Sequence, residues 1–110
     1  MDKNDALNIK EALEDKLARD ILILEIGPLT TIGDYMIIAD ASNVNQLDAL
    51  ENAVYDKMAK EKKFPKNTEG KKESGWILMD YGDIIVQLFL SDMREKYDIE
   101  HIWSDAKQLI

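Results

Sequence analysis

The side chains that could do chemistry in this 110-residue chain are concentrated in one short segment, Asp80-Tyr81-Gly82-Asp83. Two carboxylates that flank a turn could hold a magnesium ion, with Asp34 or Asp40 as a further ligand. Aspartate and glycine are also the residues that a tight turn itself favours, so a structural role is the preferred interpretation. A nucleotidyltransferase would need a Gly-Ser phosphate loop and two acids at alternate positions of one strand, and neither pattern is present. A magnesium-dependent, nucleotide-handling enzyme is therefore kept only as the alternative function.

Other catalytic arrangements find no support in the sequence. His101 is the only histidine, so no histidine cluster or catalytic triad can form. The chain has no cysteine, which excludes a thiolate metal site and a cysteine nucleophile. The segment Gly70-Lys71-Lys72 lacks the upstream glycine and the following serine or threonine of a phosphate-binding loop. We therefore predict a protein that is not an enzyme and that uses no metal or cofactor.

Composition narrows the class of partner. Hydrophobic residues make up 45% and charged residues 33% of the chain, which predicts one globular domain over residues 1–110. The formal net charge is −8, so phosphate groups should repel the protein on average, and little direct contact with nucleic acid is expected. A basic protein partner suits this charge better, although acidity could also serve solubility alone. No apolar run is long enough to cross a bilayer, and a cytoplasmic location is expected.

The hydrophobic periodicity predicts seven elements in the order α-β-β-α-β-β-α, an α/β (α+β) fold with a mixed β-sheet and helices packed on it. An exposed, mobile loop is expected over residues 64–75, and Asn43 is a plausible cap of the second helix. Ser91 and Asp92, with Glu95, resemble the capping box of the last helix. The predicted helices cover residues 4–19 and 44–62 and a short segment after residue 91, and the predicted strands cover 20–26, 34–40, 76–80 and 83–90.

The last two strands predict a hairpin with two different faces. If Tyr81-Gly82 is the two-residue turn, Asp80 pairs with Asp83 and Leu78 with Ile85. One face is then purely apolar and should point to the core. The other, the Trp76 face, mixes apolar and polar groups in the manner of a docking surface, although the C-terminal tail could cover part of it. The Trp76 face consists of Trp76, Leu78, Asp80, Asp83, Ile85, Gln87 and Phe89.

The hairpin sequence also carries a resemblance to a known family. Residues 76–86, Trp-Ile-Leu-Met-Asp-Tyr-Gly-Asp-Ile-Ile-Val, resemble the Trp-x-Leu-x-Asp-Tyr-Gly-Asp-Val-Val-Val signature of ribosome-silencing factors, the Iojap/RsfS family. Residues 34–39 are similar to that family's Asp-Tyr-Phe-Val-Ile-Ala strand. Gln87 departs from the histidine usual in the family, and Lys96 departs from a tyrosine. The resemblance covers essentially the whole chain.

The resemblance implies both a fold and a function. The family fold is nucleotidyltransferase-like without the catalytic residues. Its members bind a basic protein of the large ribosomal subunit at the intersubunit face, block joining of the small subunit and repress translation, and homodimers are described. Aromatic and aliphatic side chains would supply contact area, carboxylates would pair with basic groups of the partner, and Tyr81 would add a hydrogen bond at the rim. The partner-binding residues expected here are Trp76, Leu78, Asp80, Tyr81, Asp83, Ile85, Gln87 and Asp40.

Overall fold

The computed structural model describes residues 1–109 of the protein. Within this range the chain forms a six-stranded mixed sheet with helices on both sides. In chain order the elements are α1 Lys3–Asp15, β1 Arg19–Glu25, β2 Tyr35–Ala41, α2 Val44–Ala59, β3 Asn67–Lys71, β4 Trp76–Asp80, β5 Ile84–Leu90, α3 Ser91–Tyr97, α4 Ile99–Ile102 and β6 Lys107–Gln108.

The order of strands across the sheet is β3-β4-β5-β2-β1-β6. The central pair, β2 and β5, is parallel, while the other neighbouring pairs are antiparallel. Parallel neighbours need a crossover connection, and α2 lies in the chain segment that joins β2 to the β4–β5 hairpin. The predicted mixed sheet with packed helices is therefore confirmed.

Helices α1 and α2 cover one face of the sheet and enclose the larger apolar core. The apolar residues of α1 recur every three or four positions, and Ile9 and Leu13 are fully buried. In α2 the buried stripe contains Leu47, Leu50, Val54 and Met58, which also recur every three or four positions. The side chain of Asn43 accepts a hydrogen bond from the backbone N–H of Gln46, which confirms the predicted cap.

The segment from residue 64 to residue 75 is not the loop that its composition predicts. Residues Asn67–Lys71 form strand β3, which pairs antiparallel with β4 at the edge of the sheet, and Lys72–Ser74 form a short 3₁₀-helix. All five residues of β3 are exposed. An edge strand with both faces in water needs no alternation of apolar and polar residues, so the periodicity could not reveal it.

The β4–β5 hairpin has the predicted faces but a different register. Trp76 lies opposite Phe89, Leu78 opposite Gln87, and Asp80 opposite Ile85. The backbone N–H of Tyr81 donates to the carbonyl of Ile84, so the tight turn is centred on Gly82-Asp83 rather than on Tyr81-Gly82. The predicted pairing was wrong by two residues, but a shift of two preserves which side chains share a face.

The C-terminal segment packs on the second face of the sheet. Helices α3 and α4 place Met93, Ile99 and Trp103 against a smaller apolar cluster. The predicted cap of α3 is not formed: Leu90 occupies the N-cap position without a side-chain hydrogen bond, and Ser91 is already helical. Strand β6 then pairs with the end of β1. Over residues 1–109, no helix has the length and apolar character needed to cross a membrane.

Candidate binding face

The Trp76 face is half covered. Trp76 and Leu78 are partly exposed, whereas Ile85 and Phe89, on the neighbouring strand of the same face, are buried. This second apolar cluster continues onto the neighbouring strands and under the C-terminal segment. Its buried members are Leu24, Ile26, Met36, Ile38, Ile85 and Phe89. The tail therefore covers part of the face but leaves an aromatic and an aliphatic side chain at its edge.

Gln87 lies beneath this surface rather than on it. Its side chain is only 6% exposed, and its Oε1 accepts a hydrogen bond from the indole Nε1 of Trp76 over 3.0 Å. Its Nε2 approaches the sulfur of Met36 at 3.6 Å. Gln87 therefore holds the indole of Trp76 in place, and the direct partner contact expected from the sequence is not available to a side chain this buried.

Asp80 and Asp83 lie at the turn end of the hairpin. Asp80 is partly exposed, and its Oδ1 accepts a hydrogen bond of 2.7 Å from the backbone N–H of Gly82. Asp83 is exposed, and its Oδ2 lies 2.9 Å from the amino group of Met1. Asp80 thus performs the turn-stabilising role that aspartate commonly has, and both carboxylates stay accessible. Among residues 1–109, no three carboxylate or histidine side chains are grouped closely enough to hold a metal ion.

Asp40, unlike Asp80 and Asp83, is not accessible at the surface. It is 5% exposed at the end of β2, and its Oδ2 lies 3.4 Å from Nη1 of Arg94. Its Oδ1 accepts a hydrogen bond from the hydroxyl of Ser91 and lies 3.7 Å from Nε of Arg19. A buried carboxylate needs such partners because water cannot solvate it. Asp40 is therefore paired within the protein rather than exposed, and its pairing with a basic group of a partner stays a prediction.

Arg94 holds the C-terminal helices to the sheet, and reasoning from the residues alone did not single it out. Besides Asp40, it contacts Glu100 through Nε at 2.8 Å and donates from Nη1 to the backbone carbonyl of Asp20 at 2.6 Å. The guanidinium therefore joins α3, α4, β1 and β2 at one point. A planar group with five donors is suited to this bridging role. Only the tertiary structure brings these partners together, since they lie up to 74 residues away in the chain.

Tyr81 lies on the opposite side of the sheet. It is 5% exposed and belongs to the core beneath α1 and α2, so its side chain does not lie at the rim of the Trp76 face. Its hydroxyl has no hydrogen-bond partner among the described residues. Burial, with smaller effects from Tyr55 and Glu51, raises the pKa of Tyr81 far above its usual value, so the phenol stays neutral.

These features define a mixed α/β protein with a half-covered apolar sheet face and, over residues 1–109, no cluster of metal-binding side chains. The family model described as "Ribosomal silencing factor during starvation" matches residues 2–110, and the chain belongs to this family. This family has a regulatory rather than a catalytic role.

Individual relatives agree with this assignment. Ribosomal silencing factor RsfS of Bacillus subtilis is 34% identical over 95 residues, which cover 86% of this chain and 80% of the relative. The mouse protein named mitochondrial assembly of ribosomal large subunit protein 1 is 29% identical, over 84% of this chain and 42% of its own length. A crystal structure of a protein from Chromobacterium violaceum superposes with a TM-score of 0.90 at 33% identity, covering 94% of this chain and 88% of the other.

Proposed function

We propose that this protein is a ribosomal silencing factor, which binds a basic protein of the large ribosomal subunit through the Trp76 face. Membership of the silencing-factor family is the observation that carries the proposal. The printed name of the mouse relative associates that protein with the large ribosomal subunit. The net charge of −8 supports a basic protein as the partner, because opposite charge accelerates the encounter and favours the bound orientation.

The proposed contact combines an apolar centre with an acidic edge. Trp76 and Leu78 retain exposed apolar surface, and tryptophan is among the residues that dominate interface energetics. Asp80 shares this face at the end of β4 away from Trp76, and Asp83 lies in the turn that follows, so both carboxylates can meet lysine or arginine side chains. Ile85 and Gln87 lie on the same face of the neighbouring strand but are almost completely buried, and Gln87 orients the indole of Trp76. The proposed interface thus uses fewer exposed residues than the sequence suggested.

The proposed mechanism is steric exclusion, which involves no chemical step. A protein bound at the intersubunit face of the large subunit excludes the small subunit, so fewer complete ribosomes form and translation falls. This activity would take place in the cytoplasm, and it requires no cofactor. The resemblance also extends the proposal to a homodimer, which light scattering of the free protein tests.

The test is co-sedimentation of the purified protein with isolated large and small ribosomal subunits at low and moderate salt. We expect binding to the large subunit alone, weaker at higher salt because screening reduces the electrostatic contribution. We also expect fewer joined ribosomes when both subunits are present with the protein. Bovine serum albumin, which is also acidic, serves as a control for nonspecific binding.

Folded protein that sediments with neither subunit would contradict the proposed function. The alternative function would then be that of a magnesium-dependent, nucleotide-handling enzyme. Thermal unfolding with and without magnesium and nucleotides would test that alternative, because a ligand that binds only the folded state raises the unfolding temperature.

A further inference from the structure

The Trp76 face contains a pocket large enough for one side chain. Its volume is ≈ 170 Å³, which is smaller than the roughly 300–1,000 Å³ of most small-molecule sites. It is lined by Trp76, Gln87, Phe89, Tyr97 and Ile99. Four of these five side chains are aromatic or aliphatic. An apolar cavity of about 150 Å³ can hold a molecule of the size of benzene. The pocket therefore has the size and lining to accept a leucine or phenylalanine side chain.

The walls of this pocket are held in place by contacts within the protein. The hydrogen bond to Gln87 orients the indole of Trp76, and the ring of Phe89 packs against that of Tyr97 with centroids 6.0 Å apart. The contacts of Arg94 anchor the helices that carry Tyr97 and Ile99. A pocket with fixed walls accepts a side chain at a lower entropic cost than one that must first be ordered.

We propose that this pocket receives one bulky apolar side chain of the basic protein that the Trp76 face binds. The inference rests on the proposed function and adds where the partner is anchored. Acidic surroundings favour a basic partner: residues 91–109 contain five Asp or Glu and three Lys or Arg, and the arginine, Arg94, is engaged internally. Exposed Asp98 lies between the two lining residues Tyr97 and Ile99. Insertion supplies buried apolar area, and the acidic rim supplies attraction to flanking basic groups.

Two variants test the pocket in opposite ways. Ile99→Trp fills it, and Tyr97→Ala removes one wall, so each should weaken binding to isolated large subunits by about tenfold or more. Ile102→Ala on the same helix and Phe64→Ala on the other side of the molecule are matched controls, because both side chains are exposed and neither lines the pocket. Both controls should bind like the wild type. Thermal unfolding establishes that each variant is folded.

The outcomes separate this inference from the proposed function. If the wild-type protein binds the large subunit and both folded pocket variants bind equally well, the pocket inference alone is overturned. If the wild type does not bind at all, the proposed function and the inference both fail. A photo-crosslinking amino acid at position 97 identifies the neighbour: a crosslink to a ribosomal protein supports the inference, and a crosslink to ribosomal RNA contradicts it.

Discussion

The indole Nε1 of Trp76 donates a hydrogen bond to Oε1 of Gln87 over 3.0 Å, although the two residues are not direct cross-strand partners. Trp76 lies opposite Phe89, and Gln87 lies opposite Leu78, so the bond runs diagonally across the β4–β5 hairpin. Diagonal neighbours on one face of an antiparallel pair are within reach of long and aromatic side chains. Gln87 thereby orients the tryptophan of the proposed interface.

Trp76→Ala should weaken binding to the large ribosomal subunit by about 2 kcal/mol or more, because the substitution removes an aromatic anchor from the interface. Titration of labelled protein with isolated subunits measures the change. Phe64→Ala, which removes an exposed aromatic ring outside the Trp76 face, should leave the affinity unchanged. A folded Trp76→Ala variant with wild-type affinity would remove this residue from the interface.

Gln87→Leu should lower the free energy of unfolding by about 1 kcal/mol, because the substitution removes the acceptor of the Trp76 hydrogen bond. Urea denaturation measures the loss. In a Trp76→Phe background the same substitution should cost less, since the indole donor is already absent. Equal costs in the two backgrounds would show that the hydrogen bond makes no contribution to stability.

Arg94→Met should destabilise the protein by about 3 kcal/mol, because it removes the guanidinium that lies beside the buried carboxylate of Asp40. Denaturant unfolding measures the effect, and Lys96→Met, at an exposed position of the same helix, is the control with an expected change of about 0.5 kcal/mol or less. Adding Asp40→Asn to Arg94→Met should restore part of the loss. An Arg94→Met variant as stable as its control would show that Arg94 does not stabilise the packing of α3 and α4 on the sheet.

Tyr81→Phe should leave the free energy of unfolding unchanged or raise it by up to about 1 kcal/mol, since the buried hydroxyl has no hydrogen-bond partner among residues 1–109. Ribosomal affinity should not change, because Tyr81 lies in the core on the other side of the sheet. Thermal unfolding and subunit binding test both statements, with Tyr55→Phe as an exposed control. A clear loss of stability would reveal that the hydroxyl is satisfied in solution.

Asp5→Asn should make stability less dependent on pH in the acidic range. Burial opposes ionisation of Asp5, but hydrogen bonds from Lys63 and from the backbone N–H of Asp2 outweigh it and lower the pKa of the carboxyl below 3.8. Its contribution is therefore fully present above about pH 4 and is lost as the pH falls through the folded-state pKa. The substitution should also cost about 1 kcal/mol at pH 7 through the weakened capping box.

Unfolding measured from pH 2 to pH 7 checks this behaviour. Asp2 and Asp5 share the capping box, so Glu14→Gln, at an exposed position near the other end of α1, is the matched control. The wild type and the Glu14→Gln variant should lose stability in parallel as the pH falls. An Asp5→Asn variant with the full acid dependence of the wild type would assign that dependence to other carboxyls.

The sequence by itself determined the elements that carry strong periodicity. The stripe of α2, the apolar strand β2 and the alternation of the β4–β5 hairpin each follow from local spacing, because an element must present its apolar residues on one side to reach a core. The family was also readable from residues 76–86, since the hairpin signature is contiguous. The prediction of which strand side chains share a face of the hairpin was also correct, because the register was wrong by two residues and side chains alternate with a period of two.

Only the tertiary structure decided which groups remain accessible. Asp40 and Gln87 are polar and were expected on the surface, but long-range partners, Arg94 for one and Trp76 for the other, make their burial tolerable. Strand β3 exists because β4 offers it backbone hydrogen bonds, which leave no trace in its own side-chain pattern. Likewise, the pocket under Trp76 forms only where the C-terminal helices return to the sheet. Such features depend on residues distant in sequence, which local periodicity cannot encode.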